Sequence, residues 1–164
     1  MNTVPELLAA ASVARALCAC GEPKDGLVLL PPPTGRNVAG IQDPVRVVWA
    51  VRARALSLTQ PEEANEAVKE VLSRPPSRLP WVAIREQLDV AIALVQTGSS
   101  SAPREVARAR EGAVHYGFTM CELEAIELQL RLEPTQALES RAETLRSKLS
   151  SRLGEPESFI RRWT

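Results

Sequence analysis

The stretch QPEEANEAVKEVL, residues 60–72, decides the fold class of this chain. Its apolar residues recur at the i, i+3, i+4, i+7 and i+8 positions of one helix face, namely Ala64, Ala67, Val68, Val71 and Leu72. Thr59 and Glu62 form a capping box around Pro61, and proline is favoured in the first turn of a helix. The stretch therefore predicts an amphipathic helix that buries one face against a neighbour.

The residues before this stretch predict that neighbour. Asp43 can cap a helix and Pro44 suits its first position. The apolar stripe that follows consists of Val47, Val48, Val51, Ala55 and Leu58. The junction at Thr59 and Gln60 is so short that the two helices are expected to form an antiparallel hairpin.

The same arrangement recurs twice downstream. A helix from Pro80 to Gly98, with Trp81 on its apolar face, precedes one that begins at Pro103 and ends near Gly117. Segment 121–132 precedes a last helix that ends at Gly154. The second helices of the three hairpins begin alike: Pro61-Glu-Glu-Ala64, Pro103-Arg-Glu-Val106 and Pro134-Thr-Gln-Ala137. One hairpin cannot bury its own apolar face, so we expect the three to stack on a shared core.

Segment 121–132 admits two interpretations. Its apolar residues alternate with polar ones, as in a strand, at Ile126, Leu128, Leu130 and Leu132. Its Leu, Glu, Gln, Arg and Ala residues are strong helix formers, and we therefore predict a helix. In the last helix we expect Leu145 and Leu149 to be core residues, because they lie centrally on the clearest apolar stripe in the chain.

These patterns predict a single all-α domain over residues 1–164, a short α-solenoid of about three stacked antiparallel helical hairpins plus an N-terminal helix. That helix is expected within residues 1–21, from Pro5 to about Ala19. A Pro/Gly-rich loop is expected over residues 22–42, with residues 27–30 covering part of the core. The hairpins take residues 43–154, and residues 155–164 form a C-terminal cap or a docking segment.

Residues 60–72 resemble the second helix of a bacterial tetratricopeptide repeat. Residues 102–154 also resemble the degenerate repeats near the C-termini of large bacterial signalling regulators. The likeness covers roughly residues 44–160, with Ala53 and Ala91 as the small residues of the first helices. It implies that the chain binds proteins or peptides along a concave face, as an adaptor, a scaffold or a regulatory repeat domain.

Composition excludes several classes of partner. The 20 basic and 20 acidic residues of the 164-residue chain balance, and neither half is strongly charged, with 9 basic against 8 acidic residues up to Val82 and 11 against 12 after it. We therefore expect no nucleic acid and no anionic membrane as partner. No apolar run approaches the roughly 18 residues of a membrane-spanning helix. Three cysteines are too few for a disulfide framework, so the expected location is cytoplasmic.

The chain has few of the residue patterns that are typical of catalytic or metal-binding sites. His115 is the single histidine, and pairing it with Cys121 or with Cys18 and Cys20 gives none of the usual spacings of a nucleophile pair or zinc site. Gly35 and Gly40 have the glycine spacing of a phosphate-binding loop, but its lysine is missing. We expect no catalytic residue, no metal and no cofactor.

The candidate partner-binding residues are aromatic and apolar: Phe159, Ile160, Trp163, Trp49 and Trp81. Partial burial within the hairpins is the alternative for Trp49 and Trp81. The leading hypothesis is a non-catalytic protein-protein interaction module that binds another protein chain or a copy of itself. The alternative is an enzyme or small-ligand-binding helical domain whose site is assembled from dispersed Arg, Glu and Cys residues. A nucleic-acid binder is the weakest, because of the charge balance.

Overall fold

The computed structural model describes residues 4–30 and 44–153, which form helices and no strand. The eight helices of these two ranges are α1 (Val4–Ala19), α2 (Pro23–Leu29), α3 (Pro44–Ser57), α4 (Pro61–Leu72), α5 (Pro80–Gln96), α6 (Ala102–Tyr116), α7 (Thr119–Leu132) and α8 (Gln136–Leu153). Each odd-numbered helix packs against the helix that follows it, and α1, α3, α5 and α7 also contact one another in that order. The predicted all-α fold of stacked hairpins is confirmed.

The prediction of a loop over residues 22–42 is wrong for residues 23–29, which form α2. Pro23 opens this helix, where its missing N–H costs no hydrogen bond. Gly26 is needed for close packing, because a Cβ there would lie 3.0 Å from the Ala14 carbonyl oxygen. Leu30 is buried and Leu27 packs on the core, as expected. The N-terminal helix is thus half of a fourth hairpin, and residues 31–43, with Gly35 and Gly40, lie outside the described ranges.

Segment 121–132 is helical, as predicted, within α7. Its strand-like alternation arises because α7 is buried on two sides. Leu123 and Ile126 pack with α8, whereas Ala125 and Leu128 belong to the core shared with α5 and α6. A helix between two neighbours needs apolar residues around most of its circumference, which removes the simple one-face pattern.

The last hairpin closes the described part of the chain. Leu145 and Leu149 are buried against Leu123 and Ile126, so the prediction that both are core residues is confirmed. The helix begins two residues after Pro134, at Gln136, where the Thr135 hydroxyl accepts the Leu138 N–H at 3.3 Å. Pro134 therefore precedes the capping residue Thr135, whereas Pro61 and Pro103 lie in the first turns of α4 and α6.

Helix α3 forms the centre of the molecule. Every residue of it is buried except Trp49 and Arg52. It contacts α1, α2, α4 and α5. Because α3 has neighbours all around, even its arginines Arg46 and Arg54 are buried, and their charges require partners inside the molecule.

Three residues of the predicted apolar stripes lie at helix ends and are exposed rather than buried. Leu58, which follows the end of α3, and Leu72, the last residue of α4, are 45% and 48% exposed. Trp81, in the first turn of α5, is 59% exposed. End residues have fewer neighbours than those in the middle of a helix, so helical periodicity overestimates their burial. None of the described helices is long and apolar enough to cross a membrane.

Candidate functional site

Five charged side chains meet where the odd-numbered helices come together. Asp89 on α5 is fully buried and accepts hydrogen bonds from Arg15 Nε at 2.9 Å and Arg15 Nη2 at 2.6 Å. Arg54 Nη1 on α3 lies 3.3 Å from Asp89 Oδ1 and 3.4 Å from Glu124 Oε1 on α7. Arg85 Nη2 donates to Glu124 Oε1 at 3.2 Å. We call these five residues the ionic cluster, and together they connect all four hairpins.

The electrostatics of the ionic cluster favour its charged form. Burial alone would raise the pKa of Asp89, but the guanidiniums of Arg15, Arg85 and Arg54 outweigh it and lower the pKa below its ordinary value. Three guanidiniums face two carboxylates, so the ionic cluster has one excess positive charge. Arg15 and Arg85 keep 18% and 25% of their side-chain surface exposed, so both side chains reach the surface beside the ionic cluster.

A second buried pair fixes α3 to α5. Arg46 Nε donates to Glu86 Oε2 at 2.7 Å, and Arg46 Nη1 donates to the carbonyl oxygens of Val71 and Arg74 near the end of α4. Burial raises the pKa of Glu86, and its hydrogen bond from Arg46 offsets only part of that effect. The pair orders the surroundings of Trp81, because it holds the first turns of α5 next to α3.

Two adjoining cavities of about 180 and 450 Å³ form a groove beside the ionic cluster. Both are lined by Arg15, Trp81 and Arg85. Leu8 of α1 lines the smaller cavity, and the N-terminal end of α7 lines the larger one with Phe118 and Met120. We call this feature the Trp81 groove. It presents an exposed tryptophan, further apolar side chains and two guanidiniums.

A further cavity of about 230 Å³ borders the ionic cluster at Arg54 and Glu124. Its lining includes Cys18, Gln96 and Arg131 from the C-terminal halves of α1, α5 and α7. Burial raises the pKa of Cys18 here and of Cys121 in the Trp81 groove, although neighbouring arginines partly oppose the effect. Both thiols are therefore protonated at neutral pH, which makes them poor nucleophiles.

The predicted partner-binding residues differ from one another in their exposure. Trp81 is exposed in the Trp81 groove, whereas Trp49 is half-buried against the core, with the Arg52 guanidinium 5.8 Å from its ring centroid. Phe159, Ile160 and Trp163 lie outside the described residues. His115 is exposed near the end of α6, and within residues 4–30 and 44–153 no group of His, Cys, Asp and Glu residues could hold a metal ion.

Two further sets of charged residues link helix surfaces to buried positions. Arg104 and Arg108 pair with Glu105, which is buried. Arg146 pairs with Glu143 on its own helix and also with Glu127 on α7. Each set therefore contains a residue that packs against a neighbouring helix.

Sequence reasoning did not find the ionic cluster. A signal was present, because Asp89 is the single acidic residue in the apolar run from Leu88 to Val95, and Arg54 lies within the apolar α3. A charge at a core position of a helix requires a buried partner. Nothing local identifies that partner, which lies 74 positions away for Asp89 and Arg15.

Comparisons with models of protein families, with curated proteins and with solved structures found no match to this chain. The resemblance of residues 60–72 to a tetratricopeptide repeat therefore stays a prediction.

Proposed function

We propose that this domain is a non-catalytic protein-interaction module that holds a segment of a partner protein in the Trp81 groove. The observation that carries the proposal is the 59% exposure of Trp81 between two cavities. Tryptophan is enriched among the residues that dominate binding energy, because it offers a large apolar area and one hydrogen-bond donor. The adaptor role, the tetratricopeptide-like character, and the bacterial and cytoplasmic origin belong to the same proposal.

The walls of the groove support this function because they are held in place before any partner arrives. The ionic cluster connects α1, α5 and α7, the three helices that contribute most of the lining. The Arg46 and Glu86 pair fixes the N-terminal end of α5. A preformed groove costs less conformational entropy on binding than one that must be ordered, which increases affinity.

The enzyme alternative has one observation in its favour. The fold brings dispersed Arg, Glu and Cys residues together, as that hypothesis requires. However, guanidiniums already engage both Asp89 and Glu124, and the raised pKa values of Cys18 and Cys121 disfavour the thiolate. This chemistry supports a structural role for the ionic cluster more strongly than a catalytic one.

The test compares three proteins: wild type, Trp81→Ala and Leu72→Ala. Leu72 is a matched control, because it is an apolar residue of similar exposure on α4. Proteins captured from a bacterial lysate by wild type are identified, purified and titrated against all three. We expect Trp81→Ala to weaken binding by at least about 30-fold, the effect of losing a dominant interface residue, and Leu72→Ala to leave it unchanged. Equal binding by all three proteins would exclude the Trp81 groove as the site.

A further inference from the structure

The residues that line the Trp81 groove determine which chemical groups a bound segment should carry. Its apolar part consists of Trp81, Phe118 and Met120, which would be covered by large apolar side chains. Its charged part consists of Arg15 and Arg85, two partly exposed arginines of a cluster with one excess positive charge, and of Glu86, whose carboxylate is paired with Arg46. The best-matched occupant therefore combines carboxylates with aromatic or aliphatic groups in a short segment.

One segment of this chain has that chemistry. Residues 155–163 read EPESFIRRW, with Glu155 and Glu157 followed by Phe159, Ile160 and Trp163. The two carboxylates, at the start of the segment, can approach the two guanidiniums of the groove, and Phe159 and Ile160 follow after Ser158. Arg161 and Arg162 precede Trp163 and balance the two carboxylates, so the match in charge concerns the acidic start of the segment alone. Pro156 restricts the backbone around the acidic residues, which lowers the entropy lost when the segment becomes ordered.

The position of α8 brings this segment within reach. Leu149, near the C-terminal end of α8, itself lines the Trp81 groove together with Trp81 and Met120. The helix is described to Leu153, and Gly154 follows, a residue type that commonly ends helices. The six residues from Leu153 to Phe159 can span up to about 20 Å when extended. That length is sufficient for Phe159 to return to a groove that the same helix already lines.

We propose that residues 155–163 occupy the Trp81 groove of their own molecule and compete there with the partner protein. This inference rests on the proposed function and adds a regulation to it. A short tether gives an effective concentration in the millimolar range. For an intrinsic Kd below about 100 μM, the segment therefore weakens the binding of any competitor by at least about tenfold.

The experiment uses the full chain and a labelled synthetic peptide of residues 154–164. The receptor proteins are wild type and the triple variant Phe159→Ser, Ile160→Ser, Trp163→Ser, and binding is measured by fluorescence anisotropy. We expect the triple variant to bind the peptide at least about tenfold more tightly than wild type, because its own segment no longer competes. Adding Trp81→Ala should abolish binding to the triple variant, whereas adding Leu72→Ala should not. A peptide of the same composition in scrambled order should not bind.

Any one of the following peptide results would overturn the inference: no peptide binding by a folded triple variant, equal binding by wild type and triple variant, or binding that survives Trp81→Ala. Sedimentation distinguishes a second copy as the occupant. We expect a monomeric wild type, and a dimer that the triple substitution dissociates would assign the segment to a neighbouring molecule and contradict the proposal. The peptide test involves no partner protein, so it can fail while the Trp81-dependent capture of a partner succeeds, and the reverse also holds.

Discussion

Asp89 on α5 accepts two hydrogen bonds from the guanidinium of Arg15 on α1, across 74 positions of sequence. The Asp89 side chain is fully buried, and it also lies 3.3 Å from Arg54. Removing its negative charge would leave the guanidiniums of Arg15 and Arg54 near each other, with less negative charge to offset their repulsion. A buried ion pair is weak evidence for net stability, but breaking one by removing a single partner is costly.

We therefore expect Asp89→Asn to lower the free energy of unfolding by about 3 to 5 kcal/mol, measured by urea denaturation. The matched control is Glu66→Gln, which removes a carboxylate from the exposed pair that Glu66 forms with Lys69 at 2.7 Å. Exposed pairs at this helical spacing contribute less than about 0.5 kcal/mol. Similar losses for the two variants would show that the ionic cluster does not stabilise the fold.

The destabilisation by Asp89→Asn should depend on pH. In the folded protein the pKa of Asp89 is below its ordinary value of 3.8. As the pH falls through that value, the unfolded chain therefore takes up a proton at this residue before the folded protein does. The stabilisation is present above that pH and is lost below it, by at most about 1.4 kcal/mol per pH unit.

The measurement is the difference in unfolding free energy between wild type and Asp89→Asn at pH 6 and at pH 3. We expect a smaller difference at pH 3. Glu86, whose pKa is raised mainly by burial, acts in the opposite direction and is present in both proteins, so the part of its contribution that is due to burial cancels. The smaller part that comes from the charge of Asp89 is lost in the variant. A difference that does not change with pH would mean that the Asp89 pKa is the same in the folded and unfolded states.

Replacement of Leu145 by Ala tests the core of the last hairpin. Leu145 is 2% exposed and packs with Leu123 and Ile126, so its truncation should cost about 2 to 5 kcal/mol. The control is Val13→Ala on α1, because Val13 is 51% exposed and surface substitutions stay within about 0.5 kcal/mol. Thermal unfolding of both variants measures the contrast, and a loss at Leu145 as small as that at Val13 would contradict the packing of α8.

The three cysteines should react with iodoacetamide in a fixed order. Cys20 is exposed, whereas burial raises the pKa of Cys18 and Cys121. Because the thiolate is the reacting form, Cys20 should be alkylated first at pH 7, as followed by mass spectrometry of peptides. In urea the three rates should become similar. If Cys121 reacts as fast as Cys20 in the folded protein, its environment is not the protective one described above.

The helices could be predicted from the sequence because their signals are local. The apolar stripe in residues 60–72 and the proline at position 61 identify α4 without knowledge of any other element. The predicted capping box of Thr59 and Glu62 is wrong, because Gln60 is the N-cap, no side chain caps the helix, and the Thr59 hydroxyl donates to the Ala55 carbonyl oxygen instead. Helix α2 was missed because Pro23 and Gly26 look like helix breakers. Their actual roles, opening a helix and admitting the Ala14 carbonyl, depend on the position of α1.

The Trp81 groove was only partly predictable. Trp81 was a candidate from its residue type alone, but nothing in the sequence distinguishes its exposed position from the half-buried one of Trp49. Arg15, Arg85 and Glu124 were absent from the prediction, because an ion pair between helices depends on how the helices cross. That crossing is set by packing, which periodicity does not specify.

The contact between Arg15 and Asp89 also skips a hairpin, since α1 belongs to the first and α5 to the third. In an ordinary repeat array each unit touches only its immediate neighbours, and end units can fray while the others stay folded. Here, unfolding of the first hairpin would remove Arg15, which is the closest ion-pair partner of the fully buried Asp89 in the third hairpin. We therefore expect α1 and α5 to lose hydrogen-exchange protection in one cooperative event, so that the domain behaves as a globular unit despite its repeat-like construction.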